Sequence, residues 1–176
     1  NYMNWICLAN GNDKYVGLVD SYDKTLVVTS DDGISWTISN TQSNYNFHSM
    51  VFGSNKFVAI AETVGSGRQI LTSVDGKTWT IQTIPIQNNW KSITYGNNLF
   101  VVVGSSTSNN GVMTSGDGET WTIQTTPNDN TWRSVVYGGG LFVAVASSGN
   151  NSRVMKSSNG FNWSLDWFRF WIGFGL

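Results

Sequence analysis

Hydrophobic positions along the chain follow two patterns, and neither has a helical period. Runs such as Phe100-Val101-Val102-Val103 and Leu141-Phe142-Val143-Ala144-Val145 are continuously apolar, as strands buried on both faces are. Elsewhere the two kinds of residue alternate. Trp90, Ser92 and Thr94 would share one face of an extended strand, and Lys91, Ile93 and Tyr95 the other. The runs are rich in Val, Ile, Thr and aromatics, and Gly/Asn clusters separate them, which is strand-and-turn chemistry. Between Trp90 and Thr126 the pattern predicts four strands, at roughly 90–95, 99–104, 111–115 and 120–126.

The four-strand pattern recurs. Ser30-Asp31-Asp32-Gly33-Ile34-Ser35-Trp36 returns as Ser73-Val74-Asp75-Gly76-Lys77-Thr78-Trp79, then as Ser115-Gly116-Asp117-Gly118-Glu119-Thr120-Trp121 and Ser157-Ser158-Asn159-Gly160-Phe161-Asn162-Trp163. The serines lie 43, 42 and 42 residues apart. An aromatic precedes each by about 25 residues (Trp5, Phe47, Trp90, Trp132), and six residues after it stands a glycine: Gly11, Gly53, Gly96 and Gly138. A period of ~40–45 residues with four strands per unit is the mark of a β-propeller blade. The expected fold is therefore all-β: four-stranded antiparallel blades at about 1–42, 43–85, 86–127 and 128–166, with 167–176 a partial fifth repeat or a closing strand.

The heptapeptide Ser-x-Asp-Gly-x-x-Trp resembles the Asp-box, or BNR repeat, of sialidases, sortilin-type receptors, photosystem assembly factors and many phage or viral surface proteins. The resemblance implies that each box is the hairpin between the third and fourth strands of its blade. Its physics is local: the Asp accepts backbone N–H bonds, the Gly supplies a positive φ, and the Trp pins the turn to the blade. The sixteen box positions (Ser30, Asp32, Gly33, Trp36; Ser73, Asp75, Gly76, Trp79; Ser115, Asp117, Gly118, Trp121; Ser157, Asn159, Gly160, Trp163) are thus expected to be structural. The fourth copy departs by carrying Asn159 for Asp.

After Trp163 the register shortens. Earlier boxes are followed 11 residues later by the next aromatic, whereas Trp167 follows Trp163 by four. Trp167 and Gly173 nevertheless keep the six-residue spacing. The chain would either close a small ring of four blades or form part of a larger ring, completed by a second copy or by further blades. The absence of an initiator Met before Asn1 suits a processed chain, a trimmed one or a fragment.

Composition removes several functions. Charged residues make up 12% of the 176, with a formal net charge of −1, and Asn, Ser and Thr number 20, 21 and 17. No basic block suggests nucleic acid, and no apolar run suggests membrane insertion. Cys7 is the only cysteine and His48 the only histidine. A zinc site or a His-based relay therefore lacks parts, and no metal or cofactor is expected. Sialidase chemistry, which the resemblance raises, would require three substrate-gripping arginines, a Tyr–Glu pair, an Asp acid/base and an early Arg-Ile-Pro phrase. The arginines are only Arg68, Arg133, Arg153 and Arg169, none of them followed by Pro, and the glutamates only Glu62 and Glu119. No enzyme is expected.

Binding remains. The loops between second and third strands, at 20–24, 62–69, 105–111 and 147–153, are rich in Ser, Gly and Asn, short side chains that adapt to a ligand. Weak candidates for contact residues are Tyr22, Tyr45, His48, Arg68 and Arg153, with Trp167 a further candidate for stacking on a sugar. The expected function is a non-catalytic recognition module of a cell or virion surface, binding glycan or protein through blade loops or the channel mouth. The alternative is a purely structural unit, such as part of a viral fibre or scaffold.

Overall fold

The computed structural model describes residues 4–21, 24–39, 45–63, 67–105, 107–149 and 152–166. They form four separate four-stranded antiparallel sheets in simple up-and-down order. The first sheet holds β1 (Asn4–Gly11), β2 (Lys14–Ser21), β3 (Lys24–Ser30) and β4 (Thr37–Ser39). The second holds β5 (Tyr45–Gly53), β6 (Lys56–Thr63), β7 (Gly67–Ser73) and β8 (Thr80–Gln82). The third is β9 (Trp90–Gly96), β10 (Leu99–Gly104), β11 (Val112–Ser115) and β12 (Thr122–Gln124). The fourth is β13 (Trp132–Gly138), β14 (Leu141–Ala146), β15 (Val154–Ser157) and β16 (Ser164–Asp166). First strands converge: β1 packs on β5, β5 on β9 and β9 on β13, and among the described residues no packing of that extent joins β13 to β1. The sheets are blades of an arc whose inner edge is this row of first strands.

Local chemistry sets each blade. The hairpin after every first strand turns through two residues of positive φ: Asn12-Asp13, Ser54-Asn55, Asn97-Asn98 and Gly139-Gly140. That is the type I′ turn, whose twist matches the flanking strands and which favours Asn and Gly. The second strands carry the core. In β10, Phe100 and Val102 pack towards the second blade, while Val101 and Val103 pack towards the fourth. This is why that run is apolar throughout. Three clusters result, one between each pair of successive blades, and at ~25 cal/mol per Å² of apolar surface they are the main stabilising term.

The alternation expected along 90–95 is broken. Each first strand carries a β-bulge just after its opening aromatic, between Trp5 and Cys7, Phe47 and Ser49, Trp90 and Ser92, and Trp132 and Ser134. The extra residue shifts the pleat, so Trp90 joins Ile93 and Tyr95 in the cluster facing the second blade. Ser92 faces the other way and accepts the Val135 N–H at 3.3 Å.

Candidate binding site

The four Ser-x-Asp-Gly-x-x-Trp turns join third to fourth strands, and their geometry repeats closely. The serine hydroxyl accepts the glycine N–H at 2.8 Å in the first, third and fourth turns and at 2.9 Å in the second. It also donates to the acid's Oδ1. That Oδ1 then accepts two further N–H groups, at 2.7–2.8 Å for Asp32, Asp75 and Asp117. Asn159 reproduces the pattern at 3.0 Å for both, a lengthening that fits its neutral amide oxygen. Each glycine has positive φ, between 72° and 79°. In the third and fourth turns the indole N–H of Trp121 or Trp163 closes the loop on the glycine carbonyl, at 3.1 and 2.9 Å.

These bonds fix the carboxylates as anions. Asp117 is held at about 2, chiefly by the Thr120 N–H, which with the Glu119 N–H and Ser115 hydroxyl outweighs burial. Asp75 is lowered too: burial acts to raise it, and the N–H groups of Thr78 and Lys77 override that. Asp32, bonded by Ser35, Ile34 and Ser30, is lowered furthest. Because the folded pKa lies below the unfolded 3.8, the stabilisation is complete above about pH 5 and is lost as pH falls through the folded values. Urea melts at stepped pH should therefore be flat above about pH 5 and weaken steadily between about 4 and 2. Asp117→Asn, copying Asn159, should remove part of that slope. Carboxylates so engaged are poor candidates for chemistry.

Outside the turns, the structure describes only some of the expected contact residues. Tyr22 and Trp167 lie outside the described residues, and Tyr45 and Arg68 are placed only as positions in β5 and β7. Arg153 is exposed beside β15, where its Nε donates to the Gly149 carbonyl at 2.8 Å. His48 sits at the bulge of β5 on the inner edge. Of the six, only Arg153 and His48 have described side chains, and these two lie on different blades. The 20–24 and 62–69 loops are largely absorbed into strands, because Ser21 pairs with Lys24 and Thr63 with Gly67. Cys7 stands in the register of Ser49, Ser92 and Ser134 as expected. Burial pushes its thiol up to about 12 despite the Met50 N–H bonded to it.

A cleft that the sequence reading missed opens between the outer parts of the third and fourth blades. It is an open depression of about 400 Å³ lined by residues 124–127 and 161–163, none of them charged. Phe161 stands half-exposed on one side beside Trp163. Opposite lie Gln124, Thr125, Thr126 and Pro127. At the corresponding positions of the previous repeat stand Ile84 and Ile86, which pack on the cluster between the second and third blades. In the later repeat these positions are Thr126, which is buried, and Asn128, and Thr126 lines the cleft. A pairwise comparison of the repeats could have shown this, since Phe161 is aromatic where the other turns have Ile34, Lys77 and Glu119. Among the described residues no cluster of His, Cys, Asp and Glu could hold a metal, and no helix is long and apolar enough to cross a membrane.

No protein-family model matches the sequence, and no curated protein matches it. The fold has solved relatives. A streptogramin B lyase superposes with TM-score 0.65 and 13% identity over 93% of this chain and 58% of its own. YCF48 bound to D1 peptide gives 0.63 and 18% over 93% and 53%. A chain of a nidogen/laminin complex gives 0.61 and 13% over 85% and 57%. These are β-propellers, and the architecture of the present chain is propeller-like in the same sense. It spans little more than half the length of each. Two of these neighbours are solved with a partner, YCF48 with a D1 peptide and nidogen with laminin.

Proposed function

We propose that the chain is a non-catalytic recognition module of the Asp-box type, which holds a neutral, hydroxyl-bearing ligand, a glycan, in the cleft beside Phe161. The cleft itself carries the reading. Its volume suits a small ligand, its walls pair an exposed aromatic ring with amide and hydroxyl groups, and it presents no charge. Such a ring stacks on the C–H face of a sugar while Asn162 stands beside it to bond its hydroxyls; Gln124, whose amide nitrogen donates to Thr114 Oγ1 at 2.8 Å, offers its carbonyl oxygen. The engagement of the turn carboxylates, and of Glu119 by Lys56 at 2.5 Å, supports binding without catalysis. Partner recognition by the neighbours fits a surface role on a cell or virion.

A glycan array followed by titration calorimetry tests this. Phe161→Ala should weaken binding about tenfold, equivalent to about 1.4 kcal/mol, and leave the melting temperature unchanged because the ring is 48% exposed. Absence of any glycan ligand, or binding indifferent to Phe161→Ala, would sink the reading.

A further inference from the structure

We propose that the rim of the fourth blade binds an acidic polysaccharide, whose sulfate or carboxylate groups are held by Arg133 and Arg153, with Lys91 of the third blade as a further cation. None of these residues lines the cleft beside Phe161, so the site goes beyond the reading above and is tested apart from it.

One turn anchors both arginines. Arg133 Nε donates to Ser147 Oγ and Arg153 Nε to the Gly149 carbonyl, each at 2.8 Å. The anchors are two residues apart, which keeps them within ~7 Å of each other. Both arginines are exposed, and among the described residues neither meets a carboxylate. Asp129, the acid nearest to Arg133 in sequence, accepts the Asn109 N–H at 2.6 Å. Holding a guanidinium through Nε leaves its Nη groups for a ligand, and a side chain so prepared loses little freedom when an oxyanion arrives.

The turn itself is tied down. The Thr131 N–H donates to Ser148 Oγ at 2.7 Å, the Ser147 N–H to the Thr131 carbonyl at 3.0 Å, and the buried Asn130 amide to the Ser152 carbonyl at 2.7 Å. Gly149 has a φ of 98°, and a Cβ there would come within 2.6 Å of the Asn130 side chain, so glycine is what lets the turn lie flush on Asn130. The arginines are not what this frame needs. On the third blade the same backbone bonds recur, from the Ser105 N–H to the Asn89 carbonyl and from the Gly104 N–H to the Gly111 carbonyl, in place of Ser147 to Thr131 and Ala146 to Arg153. Gly111 stands there where the fourth blade has Arg153.

Arg133 also belongs to a row. The residue inserted at the bulge of each first strand is Ile6, His48, Lys91 or Arg133, so three of the four are basic in a chain with ten Lys and Arg and one His among 176 residues. A bulge re-aims the side chain it inserts, and the Val135 N–H on Ser92 Oγ holds the bulges of β9 and β13 in one register. His48 ends the row, because its Nε2 is buried. Cations set one to a blade match a ligand whose anions recur at a fixed interval. Beside them stand the hydroxyls of Thr131, Ser147 and Ser148, partners for sugar hydroxyls, which favours a sulfated or uronic polysaccharide over an acidic peptide.

Calorimetry of the whole chain tests this, against a heparin hexasaccharide, which carries sulfate and carboxylate, and a hexagalacturonate, which carries carboxylate alone. At least one should bind, more weakly as salt rises, and the comparison tells sulfate from carboxylate. Arg133→Gln and Arg153→Gln should each weaken binding about tenfold, the scale of a charge-assisted hydrogen bond, with thermal melts unchanged. Lys156→Gln removes an exposed charge of the same blade, one paired with Asp166, and should leave binding as it is, as should Phe161→Ala. Binding of neither oligosaccharide, an equal loss with Lys156→Gln or Phe161→Ala, or tighter binding of polyglutamate would overturn the proposal.

Discussion

Replacing Trp121 by alanine should destabilise the fold by about 3–5 kcal/mol, the range for removing a large buried aromatic. The indole is 6% exposed and belongs to the cluster between second and third blades. Its ring lies 6.4 Å from that of Phe100, and its N–H bonds to the Gly118 carbonyl. The loss thus combines a cavity, a broken ring contact and an unsatisfied carbonyl in the turn. Urea denaturation followed by circular dichroism measures it. An unchanged midpoint would mean that the indole does not pin the turn, contrary to the geometry.

Gly96→Ala is the second large effect, and it has an internal control. The new methyl would meet the Tyr137 ring at 2.1 Å. That ring cannot retreat, because Phe142 stands behind it at 4.7 Å. Forcing the third and fourth blades apart should cost about 1–3 kcal/mol, as overpacking does. Gly138→Ala makes the same chemical change at the same place in the next repeat and should be near neutral, since its Cβ meets nothing among the described residues. Thermal melts of the two variants side by side would show whether the inter-blade seat, rather than glycine's backbone freedom, is what the position requires.

The repeat could be read from the sequence because its chemistry is local. Ser115, Asp117 and Gly118 build their turn from their own backbone, so the heptapeptide announced the third-to-fourth hairpin wherever it occurred. The fourth strands were overestimated for a related reason. The span 120–126 shrank to Thr122–Gln124, because the N–H groups of Glu119 and Thr120 bond to Asp117 rather than to a neighbouring strand. The bulge after Trp90 was hidden, since one inserted residue leaves composition untouched while inverting which side chains share a face. The cleft beside Phe161 was hidden more deeply. Its lining combines positions of two successive repeats, Thr126 where the previous repeat has Ile84 and Phe161 where the other turns have Ile34, Lys77 and Glu119, and neither is informative alone.

The outermost strands also bear on how this protein behaves in crowded solution. β4, β8, β12 and β16 are each three residues long, and each centres on an aliphatic: Ile38, Ile81, Ile123 or Leu165. A formal charge of −1 gives little mutual repulsion between molecules, and a long edge with that apolar centre would template further strands. Cross-β growth takes segments of about six or seven residues. The edges β8 and β12, three residues long between described neighbours, cannot supply that, so brevity at the rim works against fibrous growth where electrostatics does not.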